Sequence, residues 1–164
     1  MDTRPLAVFD VDGVLADVRH RLHHLEGRPK RWDAFFGAAL DDPPLAEGLA
    51  LAAEAALECE VVYVTGRPER CRADTLAWFA RHGLPAGALH MRSDSDRSPA
   101  AVGKPRWLAE AARDRVVAFV VDDDPAVCDA YEAAGHRVLR ATWMTRSPGT
   151  DARLTAAQES EGRT

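Results

Sequence analysis

Residues 6–13 read Leu-Ala-Val-Phe-Asp-Val-Asp-Gly, a short apolar run that ends in two aspartates and a glycine. Continuous apolar runs of this length are typical of parallel strands that are buried on both faces of a sheet. Gly13 lets the backbone turn sharply after the strand. Open α/β sheets bind ligands at the carboxyl ends of their strands, so Asp10 and Asp12 are candidate functional residues.

Four more apolar runs follow, and helical segments separate them. The predicted strands are residues 6–9, 60–64, 88–91, 116–121 and 137–139. The predicted helices are residues 45–57, 69–81, 104–112 and 125–134, and the second and fourth stop close to glycines that are typical of helix C-caps. This alternation predicts an α/β fold with a central, mostly parallel sheet and right-handed crossovers.

Two stretches depart from this alternation. Residues 17–44 form a predicted insertion directly after the first strand, which is basic and histidine-rich at first, then aromatic, and ends in Asp-Asp-Pro-Pro. From about residue 146 onward the chain is polar, which is typical of a flexible tail. We therefore predict one domain over residues 1–145, with the insertion as a small lid, and a flexible tail over residues 146–164.

Length, charge and cysteine content exclude several classes of protein. The chain has 164 residues, which suits one domain, and its net charge of −5 does not suit a protein that coats nucleic acid as a whole. We find neither an apolar run of about 18 residues, which a membrane span needs, nor a secretory pattern at the start. The three cysteines are too few and too scattered for a disulfide framework or a zinc site, so we expect a cytoplasmic protein.

The strong predicted strands end in reactive or polar side chains. Neighbouring strands would bring together Asp10, Asp12, Thr65, Gly66, Arg67, Asp122 and Asp123. Clustered carboxylates repel one another, and they either take up protons or recruit a cation. Oxygen ligands of this kind suit Mg²⁺. The predicted metal residues are Asp10, Asp12, Asp122 and Asp123.

The same rim would hold the parts of a phosphoryl-transfer site. Asp10 can attack phosphorus, and Asp12 can protonate the leaving oxygen and later deprotonate water. Thr65 and Lys104 can bind the transferring group and spread its charge. These four residues form the predicted catalytic set.

The order of these residues resembles the haloacid dehalogenase superfamily. Its four motifs are a hydrophobic strand followed by D-x-D-G, a Thr or Ser after a strand, a lysine, and an acidic pair after a strand. They correspond here to residues 8–13, to Thr65, to Lys104, and to Asp122 with Asp123. The resemblance implies a Rossmannoid three-layer sandwich and a Mg²⁺-dependent phosphomonoesterase that works through an aspartyl phosphate.

A narrower resemblance, to the 3′-phosphatase domain of phage polynucleotide kinase, rests on Thr65-Gly66-Arg67, Arg92 and Lys104. It implies that Gly66, Arg67 and Arg92 bind the substrate phosphate and that the substrate is a nucleic-acid 3′ end. The sequence contains no G-x-x-x-x-G-K-[ST] loop, so we expect no kinase activity. It gives no indication of an obligatory protein partner.

Other functions remain open from the sequence. A nucleotidase or another small-molecule phosphatase would use the same residues. A phosphoacceptor signalling domain also combines clustered aspartates, Mg²⁺, a Thr or Ser and a Lys, but its acidic pair follows the first strand and its lysine comes last. Here Lys104 precedes the acidic pair, and Asp12 supplies an acid/base that favours hydrolysis. A binding module that has lost catalysis would not need every catalytic position filled.

Several residues have a structural interpretation beside a functional one. His20, His23 and His24 could share a helix face, but no further zinc ligand is obvious. The basic residues of segment 19–31 either form a solvated face or steer anions toward the site. Structural roles, in packing the lid, in ending it or in capping a helix, are expected for Trp32, Phe35, Phe36, Asp41, Asp42, Cys71 and Asp124.

Overall fold

Five strands form one parallel sheet in the computed structural model, which describes residues 4–144. Their bounds are β1 Leu6–Phe9, β2 Glu60–Pro68, β3 Gly87–Arg92, β4 Val117–Asp122 and β5 Val138–Arg140. The spatial order is β3-β2-β1-β4-β5, and all neighbouring strands are parallel. The chain crosses to the other side of β1 when it enters β4, so the topological switch point lies at the end of β1. The predicted α/β fold is confirmed.

Within residues 4–144, helices cover both faces of the sheet. The α-helices are α1 Trp32–Gly37, α2 Ala46–Ala55, α3 Arg72–Arg81, α4 Ala100–Ala112 and α5 Pro125–Ala133. Short 3₁₀ segments occupy Arg19–Leu25, Ala39–Asp41 and Glu69–Cys71. No helix in this part of the chain is long and apolar enough to cross a membrane.

Helix α4 begins at Ala100, whereas the sequence predicted a start at Lys104. The later start was predicted because proline is most common in the first turn of a helix, and Pro105 lies further in. The helix accepts Pro105 at the loss of one backbone hydrogen bond, since proline has no N–H. As a result, Lys104 lies within the helix, one turn after its first residue.

The two faces of the sheet belong to separate cores. Along β1, Ala7 and Phe9 enter the core that contains α2 and α3, while Leu6 and Val8 enter the core that contains α4 and α5. All four side chains are buried, as the continuous apolar run predicts. The aromatic residues of α1 also join the first core, which confirms their packing role. The predicted tail, residues 146–164, lies outside the described residues.

Helix α2 lies directly against the turn that follows β1. A Cβ atom added at Gly48 would lie 1.9 Å from the Val14 carbonyl oxygen. That carbonyl is fixed, because it also accepts a 2.8 Å hydrogen bond from the Trp143 indole N–H. Glycine at position 48 is therefore required by the close approach of the helix to the backbone that carries Asp10 and Asp12.

We predict that Gly48→Ala destabilises the protein by about 1–3 kcal/mol, as overpacking of a tight core does. Alanine is favoured over glycine in a helix by about 1 kcal/mol, so intrinsic propensity predicts the opposite sign. Urea unfolding of both proteins measures the difference. Gly37→Ala is the matched control, since a Cβ there has no neighbour within 4 Å. A Gly48→Ala protein as stable as the parent would contradict the close contact.

Candidate active site

The carboxyl ends of β1, β2 and β4 bring the predicted catalytic residues together. Asp10 follows β1, and its N–H donates to the Val121 carbonyl in β4 at 2.9 Å. Thr65 lies in β2, Asp122 ends β4, and Lys104 reaches the same place from α4. All of these side chains are buried, so their charges must be balanced by one another.

Lys104 joins two of the strand ends. Its Nζ lies 2.9 Å from Asp10 Oδ2 and 2.7 Å from Asp122 Oδ2. Burial acts to lower the pKa of Lys104, but the charges of Asp10 and Asp122 raise it by more, so the ammonium group stays protonated. The lysine is thus a fixed positive charge between two carboxylates.

Three carboxylates around this lysine could hold a metal ion. Asp10, Asp122 and Asp123 each offer one oxygen, and these oxygens lie within 4.8 Å of one another. Burial raises the pKa of Asp10 to about 7; Lys104 opposes this shift and Asp122 adds to it. One lysine does not neutralise three carboxylates, and an all-oxygen group of this kind suits Mg²⁺.

The carboxylate of Asp12 has different partners from those of the other predicted metal residues. Its Oδ1 accepts hydrogen bonds from Arg67 Nε at 2.9 Å, Arg67 Nη2 at 2.6 Å and Arg21 Nη2 at 3.0 Å. Burial acts to raise the pKa of Asp12, but the charges of Arg67 and Arg21 outweigh it and lower the pKa to about 2. Asp12 is therefore ionised at neutral pH.

A second carboxylate, Asp42, holds the same two arginines from the other side. Arg21 donates to it through Nε at 2.7 Å and Nη2 at 2.8 Å, and Arg67 donates through Nη2 at 3.0 Å. His20 Nε2 lies 2.7 Å from the same carboxylate. Two carboxylates and two guanidinium groups thus form a buried group with no net charge, which we call the charge square: Asp12, Arg21, Asp42 and Arg67.

The charge square corrects two expectations from the sequence. Arg21 was expected on a basic surface with its neighbours, but it is fully buried because two carboxylates and the Phe35 ring surround its guanidinium. Asp42 was expected only to end the lid, yet it holds both arginines. The residue types alone gave no signal for this pairing, because it joins residues far apart along the chain.

The remaining predicted residues cluster around the end of β2. Thr65 Oγ1 accepts a 3.1 Å hydrogen bond from the Arg67 N–H. Arg92 Nε donates to the Gly66 carbonyl at 3.2 Å. Both arginines are buried, so the phosphate contacts implied for Arg67 and Arg92 remain predictions.

Asp124 caps a helix, and the histidines of the insertion lie outside the group of potential metal ligands found among the described residues. Asp124 Oδ1 accepts from the Ala126 N–H at 2.9 Å and caps α5, which confirms its predicted role. The rings of His23 and His24 lie 4.0 Å apart. Among the described residues, the only group of three potential metal ligands is the aspartate cluster at Asp10.

Comparison with known proteins identifies the family and the fold. A family model described as the polynucleotide kinase PNKP phosphatase domain matches residues 5–142. No curated protein matches the chain. A chain in the structure of the Pnkp1/Rnl/Hen1 RNA repair complex is 21% identical with a TM-score of 0.70, over 85% of this chain and 43% of that chain. This chain therefore spans less than half the length of that similar chain.

Two bacterial enzymes share the fold at lower identity. The class C acid phosphatase from Bacillus anthracis is 14% identical with a TM-score of 0.66, over 88% of this chain and 69% of that chain. A haloacid dehalogenase-like hydrolase from Streptococcus pneumoniae is 13% identical with a TM-score of 0.64, over 93% of this chain and 91% of that chain. At these identities the likeness shows a common three-layer architecture.

We predict that Asp42→Asn lowers the unfolding free energy by about 3–5 kcal/mol, because it leaves two buried guanidinium groups facing one carboxylate. The double variant Arg21→Met, Asp42→Asn removes one charge of each sign and should recover part of the loss. Urea unfolding provides the measurement. Asp33→Asn removes a carboxylate that is 96% exposed and should have little effect. Equal effects of Asp42→Asn and Asp33→Asn would contradict the charge square.

Proposed function

Because this chain belongs to the family of polynucleotide kinase (PNKP) phosphatase domains, we propose that it is a Mg²⁺-dependent phosphomonoesterase that removes 3′-phosphates from nucleic-acid ends through an aspartyl phosphate. The family makes the chain a haloacid dehalogenase-type phosphatase, a hydrolase of phosphoric monoesters. The observation that carries the finer proposal is the contact of Lys104 with both Asp10 and Asp122, close to Asp12 in the turn after β1. The reaction needs a nucleophile, a cation and an acid/base within reach of one phosphate.

The proposed reaction has two displacement steps. First, a carboxylate oxygen of Asp10 attacks phosphorus, the ester P–O bond breaks, and Asp12 gives a proton to the leaving alkoxide. Second, Asp12 takes a proton from water, whose oxygen attacks the phosphorus of the aspartyl phosphate and releases inorganic phosphate and free Asp10. Lys104 and Thr65 stabilise the negative charge on the transferring group in both steps.

The aspartate cluster fits a Mg²⁺ ion because all its donors are oxygen atoms. We propose that Asp10, Asp122 and Asp123 bind through their carboxylates. Asp12 would contribute its backbone carbonyl, because Arg21 and Arg67 engage its carboxylate. Mg²⁺ held by these residues would supply positive charge that offsets the negative charge on the oxygens of the transferring phosphoryl group.

The low pKa of Asp12 affects both of its proposed roles in the same way. Asp12 becomes protonated when it takes a proton from water, and it must be protonated before it can give a proton to the leaving alkoxide. The guanidinium groups of Arg21 and Arg67 oppose that protonation in both cases. A substrate phosphate that competes for the N–H groups of Arg67 would weaken this hold and favour protonation of Asp12. Arg67 would then bind the substrate phosphate.

Exposed basic residues of the insertion support a nucleic-acid substrate. Arg28 and Arg31 are exposed, and Lys30 lies between them. Arg19 is also on the surface, but its guanidinium is paired with Asp17 at 2.9 Å.

The alternative, a nucleotidase or other small-molecule phosphatase, is favoured by one observation: Asp10 is only 4% exposed, so access to the nucleophile is narrow. The phosphatase family leaves the phosphoacceptor alternative without support.

We also propose where the protein acts and that it needs no protein partner. A cytoplasmic location is supported by Cys59, Cys71 and Cys128, which are all buried free thiols. We propose no obligatory protein partner, although the similar Pnkp1 structure is a complex with Rnl and Hen1.

We predict that the parent protein releases phosphate from a 3′-phosphorylated oligonucleotide in the presence of Mg²⁺ and that Asp10→Asn abolishes this release. The amide cannot form the aspartyl phosphate. A phosphate-release assay over 3′- and 5′-phosphorylated oligonucleotides, mononucleotides and sugar phosphates, with and without chelator, tests substrate class and metal dependence together. Asp114→Asn, at an exposed aspartate elsewhere, is the control. Substantial turnover by purified Asp10→Asn would refute the nucleophile assignment.

We also predict that replacing Arg28, Lys30 and Arg31 with Ser raises KM for oligonucleotides and leaves hydrolysis of a small aryl phosphate nearly unchanged. The slope of log affinity against log salt should flatten by about 0.7 for each single-strand phosphate that the variant no longer neutralises. Steady-state kinetics at several salt concentrations measure both. The control replaces three other arginines, Arg106, Arg113 and Arg137. Equal KM for a 3′-phosphorylated oligonucleotide and a 3′-mononucleotide, unaffected by the changes, would favour the small-molecule phosphatase.

A further inference from the structure

Arg92, at the end of β3, contacts two backbone segments of the site. Its Nε donates to the Gly66 carbonyl at 3.2 Å, and its Nη1 donates to the Ser98 carbonyl at 2.7 Å. Gly66 lies between Thr65 and Arg67, and Ser98 lies just before α4. The side chain is 1% exposed, so these hydrogen bonds form in the interior of the protein.

The segment that Arg92 contacts is an irregular part of β2. The register between β2 and β3 shifts between Thr65 and Pro68, so the strand bulges at Gly66 and Arg67. A bulge re-aims side chains and leaves backbone groups outside the regular ladder. The hydrogen bond from Arg92 satisfies the Gly66 carbonyl at this point. Arg92 is therefore bonded to the residue that lies between Thr65 and Arg67.

The other side of Arg92 rests on helix α4. Its guanidinium carbon lies 5.0 Å from the centre of the Trp107 ring, a cation–π distance. The Trp107 ring in turn lies on Gly103, where an added Cβ would come within 2.6 Å of the ring. Gly103 directly precedes Lys104. Trp107, which contacts the guanidinium of Arg92, thus belongs to the same helix that carries the lysine.

We propose, on the basis of the phosphatase function proposed above, that Arg92 is a positioning residue. It connects the Thr65–Arg67 bulge to α4. In this way it holds the Arg67–Asp12 pair at a fixed position relative to the Lys104–Asp10 pair. The Trp107 ring stacks against the guanidinium of Arg92, and Gly103 leaves the space that the Trp107 ring needs.

This role differs from the phosphate contact that the family resemblance implies for Arg92. A residue that binds phosphate acts mainly on KM and on inhibition by inorganic phosphate. A positioning residue acts on kcat, because a displacement of about 1 Å in a catalytic group can cost a hundredfold in rate. We expect substitutions of Trp107 and Gly103 to lower kcat only if Arg92 has the positioning role.

The variants that separate the two roles are Arg92→Met, Trp107→Leu, Trp107→Phe, Gly103→Ala and the double variant Arg92→Met, Trp107→Leu. Arg106→Met is the matched control, since Arg106 is the exposed arginine beside Trp107 on α4 and pairs with Asp96 at 2.9 Å. Kinetics use a small aryl phosphate as substrate and inorganic phosphate as competitive inhibitor. Hydrogen exchange at the Arg67 amide, which bonds Thr65 Oγ1, reports on the bulge without any need for activity.

We expect kcat to fall by about tenfold to a hundredfold in Arg92→Met, Trp107→Leu and Gly103→Ala, with KM and the inhibition constant for phosphate changed less than about threefold. Trp107→Phe should retain most of the activity, because it keeps an aromatic face. The double variant should be no worse than Arg92→Met, since both changes break one connection. Exchange at Arg67 should accelerate in the same variants and not in Arg106→Met.

Two results would overturn the positioning role. One is a weaker inhibition by phosphate in Arg92→Met while Trp107→Leu and Gly103→Ala behave as the parent. The other is unchanged exchange at Arg67 in Arg92→Met. If Arg92→Met does not fold, Trp107→Leu and Gly103→Ala carry the same test. A parent protein that hydrolyses no phosphomonoester would refute the proposed function, and the exchange measurements would then decide the positioning role alone.

Discussion

Neutralisation of buried charge is the constraint on which the candidate site depends. Two sets of carboxylates lie at the same end of the sheet, and each is held by cations that come from other parts of the chain. Lys104, in α4, forms ion pairs with Asp10 and Asp122, whereas Arg21 and Arg67 form ion pairs with Asp12. These two sets differ in their balance of charge. The first has an excess of negative charge and suits a cation. In the second, Asp42 pairs with both arginines, so no net charge remains. The different pKa shifts of Asp10 and Asp12 follow from this difference.

Much of the fold could be predicted because its signals are local. The apolar runs of β1 and β4 are short and continuous. Strand β1 is buried along its whole length and β4 over its second half, so neither strand shows a misleading alternation. The ends of these strands fix where Asp10 and Asp122 lie, and the parallel topology brings them to one rim. The start of α4 was missed because Pro105 is a strong local signal that the surrounding tertiary structure overrides.

The parts of the site that were missed depend on contacts between distant residues. Arg21 looks like its exposed basic neighbours, and nothing within a few residues shows that it turns inward. Its position depends on Asp42 and on the Phe35 ring beneath its guanidinium, which are only brought close when the insertion packs. Arg92 was missed as a link for the same reason, since Gly66 and Trp107 meet it only in the folded sheet.

The two ends of the insertion meet at a single point. The Asp17 N–H donates to the Pro43 carbonyl at 2.8 Å, and Ala16 forms an isolated bridge with Pro44. A segment that leaves and returns at one point can be exchanged for another of different length without moving β1 relative to α2. The insertion could thus be replaced as a unit, but any replacement must meet one requirement. It must supply both a buried cation and a buried anion at the positions of Arg21 and Asp42, or neither, because Asp12 and Arg67 pair with each other and a single added charge would stay unbalanced.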